Sequence, residues 1–271
     1  MEQQLTAHTN KIRIVFSIVL MEFLLFVISG VSFSFLAGNN FFSLEADPVP
    51  WLFYFLQIPQ FITAHQWLGI SLDIAIIALF LLVIRKPFNN RLAIILFILL
   101  LLFYVTLMGH LAHHNYQFGF CLVFIPFLFS NELSKKFAFE ATRYFMLFFY
   151  LSAALLKIYY GNFTNPAHLS NLISGQFTPY FLEGNTGIRT EVNLFLINHT
   201  AVSQFLFIAS IILELVIIVG FFTKRYDKGI AILILLFHFC NWFMMDIAPF
   251  GQIGFVCLLF LSKELKLAIV K

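Results

Sequence analysis

The chain has 271 residues and a formal net charge of +3, yet 61% of them are hydrophobic and only 11% are charged, with 38 phenylalanines and a mean hydropathy of +0.92. Such a composition excludes an ordinary soluble domain. Several apolar runs reach the ~20 residues needed to cross a ~30 Å hydrocarbon layer, so the membrane assignment does not hang on one segment.

In chain order the runs predict eight spans, at about 14 to 36, 66 to 84, 92 to 112, 116 to 130, 140 to 160, 201 to 222, 229 to 246 and 250 to 262. The fourth and eighth are short. The fold class is therefore all-α, a polytopic membrane helical bundle, and with no internal repeat residues 1–271 read as a single domain. The first run is too long for a removable signal peptide and lacks its small-residue cleavage pattern. Residues 41 to 62 carry Pro48, Pro50 and Pro59 and read as a surface or re-entrant segment. Residues 161 to 200, rich in Asn, Gly, Thr and Pro, read as one long irregular connection of the kind that covers or frames something. Cys121, Cys240 and Cys257 sit singly in apolar runs and read as small core residues.

Of the 16 lysines and arginines, all but Lys157 and Arg189 fall on the face that holds the N-terminus. With eight spans this bias puts both termini in the cytoplasm, and it makes the basic residues topological markers, not a nucleic-acid patch. His65, His110, His113, His114, His168, His199 and His238 gather in the outer half or outer loops, as do Glu45, Asp47, Glu183, Glu191 and Asp246.

Distance from an inner-loop cation measures depth. Lys157 lies fourteen residues beyond Arg143, hence roughly 21 Å into the core, and His238 ten beyond Lys228, hence roughly 15 Å. Glu22, Asp73 and Glu214 come out near the midplane. Charged groups there are costly and need a partner or a job. For Glu22, Asp73 and Glu214 a structural hydrogen-bonding role between helices is the simpler assignment. Lys157 is either functional or a lysine snorkelling to the headgroups beside Tyr159 and Tyr160. His110, His113 and His114 share one helix face by spacing, as do Tyr150, Ala153 or Ala154, and Lys157, and His238, Asn241 and Met245. The histidine cluster reads equally as an interfacial cap, and the phenylalanines as lipid-facing filler or as walls of an apolar pocket.

Four stretches resemble a known family. "HHNYQFG" resembles the "NHSYxYG"-type stretch of vitamin K-dependent gamma-glutamyl carboxylases, with His114, Tyr116 and Gly119 in register. "YLSAALLK" resembles the tyrosine-plus-seven-lysine stretch that carries the carboxylase base, landing on Lys157. "LELVIIVGFF" and "FHFCN" resemble the family's acidic span and its "FHxxN" segment, landing on Glu214, His238 and Asn241. In this order they cover about residues 60 to 262, and the chain is similar to the horizontally transferred transmembrane domain family, whose bacterial members are mostly the membrane half alone. Position 113 holds histidine where the family has asparagine.

The resemblance implies a membrane-embedded carboxylase of the carbon-carbon lyase class. In such enzymes reduced vitamin K, a menaquinol or phylloquinol, reacts with O2 to generate a base that deprotonates a substrate glutamate, and CO2 adds to the carbanion. Lys157, His114 and His238 would be catalytic. His110, His113, Asn115, Tyr116, Tyr150 and Asn241 would surround the quinol, with no metal. An apolar bundle disfavours an ammonium, as a lysine general base requires, and it excludes water from reactive intermediates. The implied partners are the lipid bilayer, the quinone and a secreted peptide, met at the outer side of a bacterial inner membrane. Three other assignments stay open. Relatives assist maturation of secreted peptides without carboxylation, "HLAHH" matches the HxxHH box of di-iron membrane oxidases, and a transporter would need an aqueous path past Asp73 and Glu214.

Overall fold

The computed structural model describes residues 2–36, 55–108, 118–182, 184, 186–245 and 251–262. Among these residues every regular element is helical. The helices are α1 (Glu2–Ile28), α2 (Phe33–Leu36), α3 (Ile58–Ala64), α4 (Gln66–Arg85), α5 (Asn90–Met108), α6 (Phe118–Phe124), α7 (Glu132–Tyr159), α8 (His168–Leu182), α9 (Ile188–Asn198), α10 (Thr200–Val216), α11 (Val219–Phe222), α12 (Asp227–Met245) and α13 (Ile253–Cys257). Among the described residues six helical segments are long and apolar enough to cross a membrane: Thr9–Leu36, Gln66–Arg85, Asn90–Leu107, Glu132–Tyr159, Thr200–Phe222 and Asp227–Met245. The segments expected as short crossings are a helix of 119–128, about 15 Å long at 1.5 Å per residue, and the short α13 with its following 3₁₀ turn Leu258–Leu261.

Two compact units share the chain, 1–142 with 250–271 and 143–249. In the first, Ile12, Phe16, Val19, Phe23 and Phe26 recur at helical spacing and bury one face of α1. That face meets other phenylalanines. Phe23 meets Phe103 edge-on at a centroid separation of 5.3 Å, Phe26 meets Phe120 at 5.6 Å, and Phe16 stacks on Phe124 at 5.1 Å. Such pairs contribute about 0.5–1.5 kcal/mol each beyond area burial. Phenylalanine is thus the packing material of this unit, not only lipid-facing filler.

Two buried carboxylates bind this unit's helices through backbone amides. Asp73 accepts from the Phe33 and Ser34 amides at 3.2 and 3.0 Å, satisfying the open start of α2. Glu22 accepts from the amides of Gly251, Ile253 and Gly254 at 3.0, 2.9 and 2.9 Å, doing the same for α13. Glycine makes the close approaches possible. A Cβ on Gly119 would overlap the Gly251 carbonyl, and one on Gly254 would overlap Val19.

The second unit departs from the expected irregular connection over 161–200, most of which is helical as α8 and α9. The physical reason is a buried stripe. Leu169, Ile173 and Phe177 of α8 and Leu196 of α9 pack with Ala154, Phe207 and Ile211 in one cluster. Polar residues between these apolar positions mask the helical period. Gly161, with φ +65°, ends α7 in the left-handed conformation that terminates helices. Ser170 and Ser203 both donate to the Leu196 carbonyl oxygen, at 3.1 and 2.6 Å, tying α8 and α10 to α9.

Candidate functional site

The second unit is organised along one face of α7. Arg143, Tyr150 and Lys157 stand seven residues apart, two turns each, so they point the same way. Each meets a polar partner from α10 or α12. The Arg143 guanidinium donates to both Asp227 carboxylate oxygens, at 2.7 and 2.8 Å, and to the Gly220 carbonyl oxygen at 2.6 Å. Both side chains of this ion pair are almost wholly buried. The Tyr150 hydroxyl and His238 Nε2 are 2.6 Å apart. Lys157 Nζ donates to Glu214 Oε1 at 2.7 Å.

The Lys157 pair is asymmetric. The lysine side chain is 25% exposed and that of Glu214 only 3%, so the pair is reached from the lysine side. Nζ lies over the rings of Phe207 and Phe237, at 5.9 and 5.5 Å from their centroids, within the range of cation–π attraction. Glu214 Oε2 is buried and has no hydrogen-bond partner among the described residues. Helical Cβ atoms tilt toward the helix N-terminus, which for a lysine in the last turn of α7 means back along its own helix. The ammonium accordingly turns inward to Glu214 instead of snorkelling outward.

No family model, curated protein or solved structure matches this chain. The site is therefore judged on its own chemistry. It holds an amine against a carboxylate and a phenol against an imidazole, with aromatic rings around the amine. These four groups can take up, hold and pass protons away from bulk water.

Of the residues singled out from sequence, Lys157, Tyr150 and His238 come together in this unit with Glu214. Asn241 is partly buried, one turn beyond His238 on α12. His238 commits its Nε2 to Tyr150, which leaves Nδ1 as its other ring nitrogen. Glu22 and Asp73 belong to the other unit, where they hold helix starts. His110, His113, His114, Asn115 and Tyr116 lie outside the described residues, as does the "HLAHH" segment. Among the described residues no group of three or more His, Cys, Asp and Glu side chains is placed to hold a metal ion.

Sequence reasoning missed Arg143 and Asp227. In the sequence Arg143 reads as an inner-loop cation marking topology, yet it is buried within a helix. The signal was its spacing, since 143, 150 and 157 form a strict seven-residue series of polar groups along one face of α7.

Proposed function

We propose that the chain is a membrane-embedded enzyme of the vitamin K-dependent carboxylase type, with Lys157 as the general base. The observation that carries this is the Lys157–Glu214 pair, a 2.7 Å contact whose carboxylate is buried and has one oxygen without a partner among the described residues. A purely structural ion pair satisfies both partners, whereas this one retains an unused acceptor beside an amine open on one side.

The residues present suit a reduced quinone. Phe207 and Phe237 offer apolar faces to a planar ring, and Lys157 offers the amine that a quinol hydroxyl requires as proton acceptor. When bound, the quinol supplies the electrons that reduce O2 and so the strong base for substrate deprotonation. The chain's own part is simpler. In its neutral form Lys157 takes a proton at Nζ, Glu214 holds the resulting ammonium, and the Phe207 and Phe237 rings flank it. CO2 and a peptide or small-molecule substrate complete the proposed reaction.

The finer topology is part of the same proposal. Eight crossings, with both termini cytoplasmic, put the Lys157 end of α7 at the outer side of a bacterial inner membrane. In support, Lys224, Arg225 and Lys228 flank the α11–α12 turn, to which Arg143, fourteen residues before Lys157 on α7, is hydrogen bonded.

The test uses the purified full chain in lipid discs, supplied with reduced vitamin K and O2. Wild type is expected to consume the quinol, and Lys157→Ala to lower that rate by about a hundredfold or more while still unfolding in one cooperative transition, at a lower midpoint because Glu214 loses its partner. Consumption by Lys157→Ala at the wild-type rate would sink the assignment of the base. A mass gain of one CO2 on a co-expressed peptide reports carboxylation itself.

A further inference from the structure

We infer that the α4–α5 turn binds an anionic phospholipid, with its phosphate held by Arg85, Lys86 and Arg91 and its acyl chains along the helix faces beside them. The inference concerns the first unit alone and does not depend on the proposed reaction.

Positive charge is concentrated at this turn without its counterpart. No Asp or Glu occurs in the sequence between Asp73 and Glu132. Asp73 is spent on the Phe33 and Ser34 amides, and Glu132 on Lys135 Nζ at 2.8 Å. Arg85, Lys86 and Arg91 are exposed, and among the described residues their side chains have no ion-pair or hydrogen-bond partner. The turn holds them together. The Asn89 amide donates to the Lys86 carbonyl oxygen at 3.0 Å, and Asn89 Oδ1 accepts from the Leu92 amide at 3.3 Å, so the chain passes directly from the end of α4 into α5. Two further cations close in on the same turn. Arg13 donates to the Ile84 and Arg85 carbonyl oxygens at 3.2 and 3.4 Å, and Lys135 Nζ lies 5.4 Å from the centroid of the Phe88 ring. Like charges gathered in this way repel one another until an anion from outside joins them.

The surroundings say which anion. Leu81 stands four residues before Arg85, Leu82 four before Lys86, and Ile95 four after Arg91. Each cation therefore has an aliphatic side chain one turn along its own helix face, toward the middle of the apolar span. Those three side chains are 56%, 46% and 48% exposed. Exposed cations at the end of a span, with exposed aliphatic rows beside them, match a charged headgroup and its chains. A soluble phosphate would leave the aliphatic rows uncovered. The two guanidinium groups can each take two phosphate oxygens, and Lys86 adds a point charge.

The test titrates the full chain in detergent with phosphatidylglycerol or with phosphatidylcholine of the same acyl chains, and native mass spectrometry counts the lipid retained. Wild type is expected to prefer phosphatidylglycerol by about tenfold or more, since each basic residue at a headgroup is worth about fivefold. The combined variant Arg85→Gln, Lys86→Gln and Arg91→Gln should lose that preference. If it does not fold, Lys86→Gln alone should weaken phosphatidylglycerol binding by about fivefold. A second combined variant, Lys224→Gln, Arg225→Gln and Lys228→Gln, removes as many cations from the α11–α12 turn, where Arg225 lies over the Tyr226 ring and Lys224 is engaged. It should keep the preference. Equal binding of the two lipids, an unchanged preference without the three α4–α5 cations, or an equal loss in both combined variants overturns the inference. Displacement of the lipid by an equal concentration of glycerol 3-phosphate also overturns it, because the turn would then be a site for soluble phosphate.

Discussion

Buried charge and missing side chains decide most at the scale of single residues. Removing one partner of the Arg143–Asp227 pair strands the other in an apolar interior, so Arg143→Met or Asp227→Asn is expected to cost about 3–5 kcal/mol. Tyr150→Phe removes one hydrogen bond and should cost about 1 kcal/mol. Thermal unfolding in detergent ranks the three, and equal losses would mean that the Arg143 pair is not buried as described. Glycines divide in the same way. Gly119→Ala must displace the Gly251 backbone and is expected to destabilise the first unit severely. In contrast, a Cβ on Gly175 meets nothing within 4 Å inside helix α8. Gly175→Ala should therefore stabilise the chain by about 0.5–1 kcal/mol, again read from the unfolding midpoint.

Periodicity governs at the scale of elements, and here legibility was uneven. The long apolar runs announce α4, α5, α10 and α12, because an unbroken hydrophobic stretch of that length has few other stable forms in lipid. The helices α8 and α9 were not legible. Their buried positions, Leu169, Ile173, Phe177 and Leu196, alternate with Asn, Ser, Gly and Thr that suggest loop, and only packing against α7 and α10 reveals the stripe. Ile173 is fully buried in that cluster. Ile173→Ala is accordingly expected to cost about 2–4 kcal/mol, and a loss under about 0.5 kcal/mol, the size usual for surface positions, would return the segment to an irregular connection. The polar stripe on α7 was partly legible. Tyr150 and Lys157 share a face by spacing, but spacing cannot say that the ammonium turns toward Glu214, because a lysine stem is long enough to reach either a headgroup or a neighbouring helix.

Charge bias and the division into two units belong to the whole molecule. On the proposed eight-span topology, the distribution of Lys and Arg puts both termini on one side of the bilayer. Reporter fusions at the two termini, one active only inside the cell and one only outside, should both signal the cytoplasm. Opposite locations would require an odd number of crossings and would move the Lys157 end of α7.

By itself the sequence determined that this protein is a helical membrane protein, since a chain this apolar must satisfy its backbone hydrogen bonds internally and has too few charges to remain in water. It also marked Glu22, Asp73, Lys157, Glu214 and His238 as residues in need of partners or a task. Tertiary structure alone decided which partners they take, joining lysine to Glu214, phenol to imidazole, and Arg143 to Asp227. Groups far apart in sequence meet only when helices pack, and the free energy of a buried charge depends on the atoms that packing brings to it.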